Sequence, residues 1–302
     1  MKTCDVENCR EQCLFELAQL IDEQGLFPAV RMMNGEVLGT SDTIFVTSII
    51  LVMLASCKSP TTEKISARVL QTLVKERSRA GAWNYWQHDS PSRAMEPYPD
   101  DIDDTFMAMT AIALWRPQLV DKWKKEIGLV LDTQRSREGL YRTWIGAGVA
   151  GNDIDPVANA AVLLYKNAAG ESVESGLSRM LKRLSEKEPE SLYYSSKAYK
   201  AYILAKAGIM PDFLFKERCA IYLTVPCEGA FLASALMLAC SKEHEAIQAL
   251  ILNICDTSDR AALYPIYREK IFKDGSATEI ASPALSLAAC AEACSLYIER
   301  YG

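Results

Sequence analysis

Two kinds of helical segment alternate along the chain of 302 residues. One kind has apolar residues at a 3.6-residue period with charged residues between them, which is the pattern of an outer helix with one buried face. The other kind is apolar or small on nearly every face, so we expect it to be buried almost completely. No segment shows a convincing alternation of apolar and polar residues at a period of two, and the pattern therefore predicts no strands. The predicted outer helices are Asp5–Gln24, Thr61–Ser78, Gln118–Arg135, Ser172–Lys187, Pro211–Leu223 and Glu243–Cys255, and the predicted inner helices are Thr43–Cys57, Asp104–Trp115, Pro156–Tyr165, Ser195–Ala207, Gly229–Cys240 and Pro283–Tyr297.

The joins between these segments carry repeated turn and capping signals. Gly25-Leu26-Phe27, Gly81-Ala82-Trp83 and Gly139-Leu140-Tyr141 each follow an outer helix, and glycine suits the left-handed residue that ends a helix. Each inner helix is preceded by N-capping residues, which are Ser41-Asp42, Asp103-Asp104, Asp153 to Asp155, Ser195-Ser196, Glu228-Gly229 and Ser282-Pro283. Six outer–inner pairs predict an all-α fold, an (α/α)6 barrel, with residues 1–302 as a single domain. Because the inner helices run the same way, their N-termini should meet at one mouth.

An acidic run, Pro99-Asp-Asp-Ile-Asp-Asp-Thr105, precedes the apolar part of one inner helix. An aspartate at such a position commonly caps the helix and favours its positive end. Four carboxylates within five positions exceed what capping needs. Like charges this close cannot all stay ionised cheaply, so we expect at least one of them to hold a proton near neutral pH.

Charge and composition narrow the functional classes. The net charge is −6 and lysine and arginine are not clustered, which disfavours nucleic-acid binding. The first residues are polar, and no apolar run demands a membrane span. Ten cysteines without a secretion signal favour reduced thiols and a cytoplasmic protein. The pairs Cys9/Cys13 and Cys290/Cys294 have a spacing that could hold a metal, but no histidine lies near them, so we interpret them as small buried residues.

The helix pattern and the acidic run together resemble the terpenoid cyclase barrel of squalene–hopene cyclases and class II diterpene cyclases. The family motif Asp-x-Asp-Asp is matched by Asp101-Ile102-Asp103-Asp104, and the turns resemble the family's Gly-x-Trp elements. The resemblance implies that Asp103 is the general acid and that Asp101 and Asp104 tune it. Family members usually place their active site between this barrel and a second one, whereas this chain has one barrel.

Protonation of a carbon–carbon double bond needs an acid that is protonated at neutral pH and a pocket that excludes water. It also needs aromatic faces that stabilise the resulting carbocation. Aromatic residues at the predicted mouth supply such faces; the candidates for substrate contact are Phe45, Trp83, Tyr85, Trp86, Tyr98, Trp144 and Tyr193. Asp153 begins the next inner helix and offers a second acidic wall. Arg31 and Arg142 are candidates to bind a diphosphate by charge-assisted hydrogen bonds.

The predicted activity is the protonation-initiated cyclisation of a linear isoprenoid, with farnesyl and geranylgeranyl diphosphate as the expected substrates. Protonation itself requires no cofactor, and Mg²⁺ is a candidate only with a diphosphate substrate. Beyond the small-molecule substrate, a peripheral membrane contact, a homo-oligomer or a partner domain that closes the site are the partners to consider.

Four other interpretations use the same residues. Asp100-Asp101-x-x-Asp104 also fits the metal-binding motif of class I terpene synthases, but Pro99 places it at the very start of the helix and no second metal motif follows. Protein prenyltransferase subunits share the barrel, yet neither His88 nor His244 lies in a setting suited to Zn²⁺. The other two are a glycan-processing enzyme with paired carboxylates and a non-catalytic prenyl-binding protein.

Overall fold

The computed structural model describes residues 3–41, 43–146, 152–173, 175–186, 189–210, 213, 226–239, 242–271 and 276–302. Its longer helices include a set whose faces are nearly all buried and a set with one exposed face. The helices in these ranges are α1 (Thr3–Leu20), α2 (Ile44–Leu54), α3 (Pro60–Lys75), α4 (Pro91–Met95), α5 (Ile102–Trp115), α6 (Pro117–Gln134), α7 (Pro156–Ala168), α8 (Ser175–Ser185), α9 (Lys197–Lys206), α10 (Pro226–Leu238), α11 (His244–Asp256) and α12 (Pro283–Tyr301).

Six helices of the described ranges form a closed inner ring. Helix α2 packs on α5, α5 on α7, α7 on α9, α9 on α10, α10 on α12, and α12 packs back on α2. Helices α1, α3, α6, α8 and α11 pack on the outside of this ring. The predicted (α/α)6 barrel is confirmed. Apart from Phe213, the expected outer helix Pro211–Leu223 lies outside the described residues.

Burial follows the sequence pattern. Every residue of α2 is buried, as expected of an inner helix without a polar face. In α3 the buried residues recur at helical spacing, for example Ile65, Val69 and Leu73, while charged residues such as Lys64 and Arg68 face outward. Of the helices in the described ranges, none has the length and uninterrupted apolar character that crossing a lipid bilayer requires.

The prediction that the chain has no strands was wrong. A four-stranded antiparallel sheet, in the order β2-β1-β4-β3, consists of β1 (Ala29–Met33), β2 (Glu36–Ser41), β3 (Tyr267–Ile271) and β4 (Ala277–Ala281). Asn34 and Gly35 join β1 to β2 with φ angles of 52° and 84°, which fits the Asn-Gly turn preferred in two-residue hairpins. Strands β2 and β4 lead directly to α2 and α12, so the sheet covers the mouth where the first and last inner helices meet.

Several predicted caps hold the inner helices at this mouth. Ser196 and Ser282 accept hydrogen bonds from the backbone N–H groups of Tyr199 and Leu285, as expected of N-caps. The cap of α2 is Thr43 rather than the predicted Ser41-Asp42 pair, and Asp42 lies outside the described residues. The cap of α5 is Asp101, so the helix begins two residues earlier than the predicted Asp104.

Candidate active site

The acidic run lies at the N-terminus of α5, inside the mouth. Oδ1 of Asp101 accepts a hydrogen bond of 2.8 Å from the backbone N–H of Asp104, which makes Asp101 the N-cap. Asp101, Asp103 and Asp104 are each no more than 3% exposed. The backbone around Asp101 is bridged to that around Trp144. These contacts fix three carboxyl groups within the barrel mouth and away from solvent.

Burial raises the pKa of all three carboxyl groups, but not to the same degree. The pKa values of Asp101 and Asp104 are raised well above the ordinary range by burial and by repulsion from Asp103. Burial also raises the pKa of Asp103, while contacts from Asp101 and from the hydroxyl of Tyr194 lower it in part. Asp103 is therefore the carboxyl whose ionised form the surrounding residues best stabilise, although burial favours its neutral form.

The two carboxyl oxygens of Asp103 have different surroundings. Oδ2 accepts a hydrogen bond of 2.5 Å from the hydroxyl of Tyr194. Oδ1 is buried and has no hydrogen-bond partner among the described residues. Because a buried anionic oxygen without a partner is costly, the proton of the neutral acid is best placed on Oδ1. Asp103 thus has one oxygen suited to carry a proton and one suited to hold the negative charge that proton transfer leaves.

A small cavity with aromatic walls adjoins this cluster. Its volume is about 60 Å³, and its lining consists of Tyr85, Tyr98, Asp101, Trp144, Tyr193, Tyr267 and Glu269. Tyr267 occupies a central place, since its ring stacks on Tyr85 at 5.6 Å and on Tyr193 at 6.2 Å between centroids. The edge of the Tyr194 ring meets Tyr267 at 5.5 Å. Tyr194 therefore connects the cavity wall to Asp103.

The structure brings most of the predicted aromatic residues together. Tyr85, Tyr98, Trp144 and Tyr193 line the cavity, and Phe45 packs on Tyr267 at 5.3 Å. Trp86 stacks on Tyr98 at 6.0 Å between ring centroids. Trp83 does not join them. Its Nε1–H donates to the carbonyl of Leu73 on α3 and its ring packs on Trp123 of α6, so Trp83 fills space between inner and outer helices.

Asp153 and Asp155, on the loop before α7, have different surroundings. Asp153 accepts a hydrogen bond of 3.0 Å from the hydroxyl of Tyr193, a cavity residue. Asp155 caps α7 through hydrogen bonds from the N–H groups of Val157 and Ala158. Burial raises the pKa of Asp155 to about 6, although the hydroxyl of Ser191 and the backbone donors oppose this rise. Asp153 borders the site, whereas Asp155 is a structural cap.

The two candidate arginines differ in their surroundings. Arg31 lies on β1, its Nε pairs with Glu269 at 2.9 Å, and its guanidinium lies 4.9 Å from the ring centroid of Trp86. Its Nη2 is buried and has no hydrogen-bond partner among the described residues. Arg142 is exposed on the loop after α6. Only Arg31 therefore lies at the rim of the cavity with an unused donor.

Tyr267 and Glu269 are site residues that the sequence did not reveal, because both lie on a strand that was not predicted. Within β3 they are two residues apart and line the same cavity. The Asn34-Gly35 dipeptide between Met32-Met33 and Val37 was the available signal for the hairpin that organises this sheet. The pairing of β1 with β4 joins segments far apart in sequence, and no local pattern encodes it.

The acidic cluster does not fit the magnesium site of a class I synthase. Mg²⁺ needs ionised carboxylates with room for several waters. Here Asp101 is occupied as a helix cap, and burial raises the pKa of both Asp101 and Asp104. Asp100, the third member of that motif, accepts a hydrogen bond from Asn84 at 3.2 Å. The geometry instead suits carboxyl groups that keep protons.

No protein-family model matches the sequence, and a search of curated proteins finds no match. Among solved structures, the type II terpene cyclase MstE from Scytonema is similar over 99% of this chain and 99% of its own, with a TM-score of 0.73 and 13% sequence identity. Variants of MstE in complex with geranylgeranyl dihydroxybenzoate, its substrate, and with merosterolic acid A, its product, have TM-scores of 0.70 and 0.72 at 13% identity.

Two other solved structures show how widely this fold is used. The ent-copalyl diphosphate synthase from Streptomyces platensis has a TM-score of 0.56 and 17% identity, and the match covers 87% of this chain and 52% of that one. A glycosidase is similar over 98% of each chain, with a TM-score of 0.54 and 10% identity. The chain has the fold of the type II terpene cyclases, as its sequence resemblance implied.

Proposed function

We propose that this protein is a class II terpene cyclase, in which Asp103 protonates a carbon–carbon double bond of a linear isoprenoid. The observation that carries the proposal is the pair of environments around Asp103: a buried Oδ1 without a partner and an Oδ2 that accepts from Tyr194. A neutral acid is favoured before the reaction, and its anion is stabilised afterwards.

The reaction begins when the proton on Oδ1 of Asp103 is transferred to the terminal alkene. The electron pair of that π bond forms the new C–H bond, and a tertiary carbocation results. Internal double bonds then attack in sequence and form the rings, until the last cation passes a proton to water and solvent returns a proton to Asp103. Burial raises the pKa values of Asp101 and Asp104 and so favours their neutral forms, which would not trap the cation.

The aromatic residues that line the cavity stabilise the carbocation. Faces of Tyr85, Tyr98, Trp144, Tyr193 and Tyr267 surround the cavity, and each offers a cation–π interaction worth about 0.5–2 kcal/mol. The cavity of about 60 Å³ corresponds to roughly two water volumes. A farnesyl chain is much larger, so substrate binding must move the Tyr267 ring and its neighbours apart.

For the polar end of the substrate we propose a diphosphate of farnesyl or geranylgeranyl size, bound by Arg31. Nη2 of Arg31 is a buried donor without a partner at the rim of the cavity, and Glu269 holds the guanidinium in place through Nε. Charge-assisted hydrogen bonds to phosphate oxygens would satisfy that donor. MstE takes a prenylated dihydroxybenzoate instead, and the test must therefore include such a head group.

The runner-up is a glycan-processing enzyme with Asp103 and Asp153 as the carboxylate pair, since a glycosidase shares the fold. Such an enzyme needs a polar cleft that admits a sugar and water to both carboxylates. Here Asp103 is 3% exposed behind aromatic rings, which favours an apolar substrate.

The function is tested by incubating the purified chain with farnesyl diphosphate, geranylgeranyl diphosphate and geranylgeranyl dihydroxybenzoate. Products are analysed before and after phosphatase treatment. We expect cyclised products that keep the diphosphate, and loss of turnover by several orders of magnitude in Asp103→Asn. Arg31→Ala should raise KM for the diphosphates at least tenfold, while the exposed Arg142→Ala serves as the matched control. Release of pyrophosphate, or glycan hydrolysis without any cyclised isoprenoid, would refute the proposal. Tight prenyl binding without turnover would favour a binding protein.

A further inference from the structure

A cluster of cysteines lies in the barrel wall, apart from the aromatic cavity. The Sγ atoms of Cys9, Cys255 and Cys294 lie within 4.8 Å of one another. These residues come from α1, α11 and α12, three helices that pack on one another. The three thiols therefore converge from elements that are distant in sequence. Cysteines that only fill space in the core would not need to meet in this way.

Two further cysteines extend the cluster. Cys13 lies one turn after Cys9 on the same face of α1, and Cys290 lies one turn before Cys294 on α12. Cys13 is adjacent to both Cys9 and Cys290. Five of the chain's cysteines thus meet at the junction where the last inner helix packs on the first outer helix. All five are free thiols in this structure.

We propose that Cys9, Cys255 and Cys294 bind a structural zinc ion, with a water molecule as the fourth ligand. In a tetrahedral zinc–thiolate site the Zn–S distance is about 2.3 Å, and the sulfurs are therefore roughly 3.8 Å apart. Sulfurs already within 4.8 Å need to move by less than a sulfur radius to reach that geometry. Protein ligands that are all thiols select a soft or borderline metal such as Zn²⁺ over Mg²⁺ or Ca²⁺.

The surroundings suit both the charge and the entry of such an ion. A zinc ion with three thiolates and a water carries a net charge of about −1. Arg260 lies beside the cluster, where its Nε donates to the carbonyl of Ile254 at 2.8 Å and a second nitrogen donates to that of Cys255. Its positive charge offsets part of the negative charge of the site. Cys255 is partly exposed, whereas Cys9 and Cys294 are buried, so the ion would enter from the side of Cys255.

The role of this site is to hold two outer helices against the last inner helix. Helix α12 is the last inner helix, and α1 is the outer helix that packs on it. A metal bound to both, and to α11, would join three helices that are distant in sequence by coordinate bonds. Binding to the folded chain alone would stabilise it by mass action.

The test uses the full chain, reduced and freed of metal, and titrated with Co²⁺ and with Zn²⁺. We expect one ion per chain, the intense visible bands of tetrahedral cobalt thiolate, displacement of cobalt by zinc, and a higher melting temperature with metal. Cys9→Ser combined with Cys294→Ser should weaken binding at least 100-fold and abolish the thermal shift. Cys4→Ser, an exposed thiol on α1, and Cys57→Ser, a buried thiol outside the cluster, are matched controls and should behave as the parent.

Should the double variant fail to fold, Cys255→Ser provides the second measurement, because this residue is the least buried ligand. This variant should lower the sulfur-to-cobalt charge-transfer absorbance by about the contribution of one thiolate ligand. Absence of stoichiometric metal uptake by the reduced parent chain would overturn the proposal. A second result would also overturn it: no metal binds to the reduced chain, and mild oxidation lowers the number of titratable thiols by two. The cluster would then be the site of a disulfide bond.

Discussion

The hydroxyl of Tyr194 donates to Oδ2 of Asp103 across 2.5 Å, and both groups are buried behind the aromatic wall of the barrel mouth. This bond connects two inner helices, since Asp103 lies in the first turn of α5 and Tyr194 precedes the cap of α9. It turns one oxygen of Asp103 toward a donor and leaves the other without a partner. Burial favours the neutral form of the acid, while the Tyr194 bond favours its conjugate base.

Removal of the Tyr194 hydroxyl should weaken the acid. In Tyr194→Phe the Asp103 anion loses a hydrogen bond of the charged kind, worth about 1.5–3 kcal/mol. We expect kcat to fall about tenfold to a hundredfold with little change in KM, and the optimum of the pH–rate profile to shift.

Tyr202→Phe is the matched control for this variant. Tyr202 is equally buried, and its hydroxyl donates to Glu292 rather than to the acidic cluster. It should lower thermal stability and leave the pH optimum unchanged. Equal effects of the two substitutions on kcat would show that Tyr194 supports only the fold.

The second prediction concerns the Tyr267 ring, which lines the cavity and stacks on both Tyr85 and Tyr193. Tyr267→Ala should enlarge the cavity and favour the longer substrate, so the ratio of kcat/KM for geranylgeranyl over farnesyl diphosphate should rise at least fivefold. Loss of a cation–π face should also increase the share of prematurely terminated products. Tyr297→Ala, on the last turns of α12, is the control and should leave the ratio unchanged. An unchanged ratio in Tyr267→Ala would place the isoprenoid elsewhere.

Local patterns predicted much of this molecule, and non-local pairing accounts for what they missed. The helices and the acidic run are encoded by neighbouring residues, so α5 and its three buried carboxyl groups could be anticipated. Tyr267 and Glu269 reach the cavity only because β3 pairs with β4 and β4 with β1. Cys9 and Cys294 are likewise brought together by the packing of α1 on α12. In both cases the contact joins residues that no short segment contains.

A third prediction concerns the pH dependence of stability. The folded-state pKa of Asp155 is raised to about 6 from its ordinary value of 3.8, so protonated Asp155 favours the fold. This contribution is fully present below pH 3.8 and is lost as the pH rises to about 6. Because a shift of one pKa unit corresponds to about 1.36 kcal/mol, the loss of unfolding free energy is roughly 3 kcal/mol.

Asp155→Asn isolates this contribution, because asparagine keeps an oxygen that can cap α7 but has no proton to lose. Between pH 4 and pH 7 the unfolding free energy of Asp155→Asn should rise relative to that of the parent by roughly this amount, as measured by denaturant titration. Asp132→Asn, an exposed substitution on α6, should track the parent across the range. A constant difference between parent and Asp155→Asn would mean that Asp155 titrates normally.

The most direct test of the proposed mechanism is to run the reaction in D₂O and locate the deuterium in the product. Transfer of the Asp103 proton to the terminal alkene predicts one deuterium at the carbon protonated in the first step and an intact diphosphate in the product. An Asp103→Asn variant with the same melting temperature as the parent should give no product above background. Cyclised product without deuterium at that carbon, or normal turnover by Asp103→Asn, would contradict the mechanism.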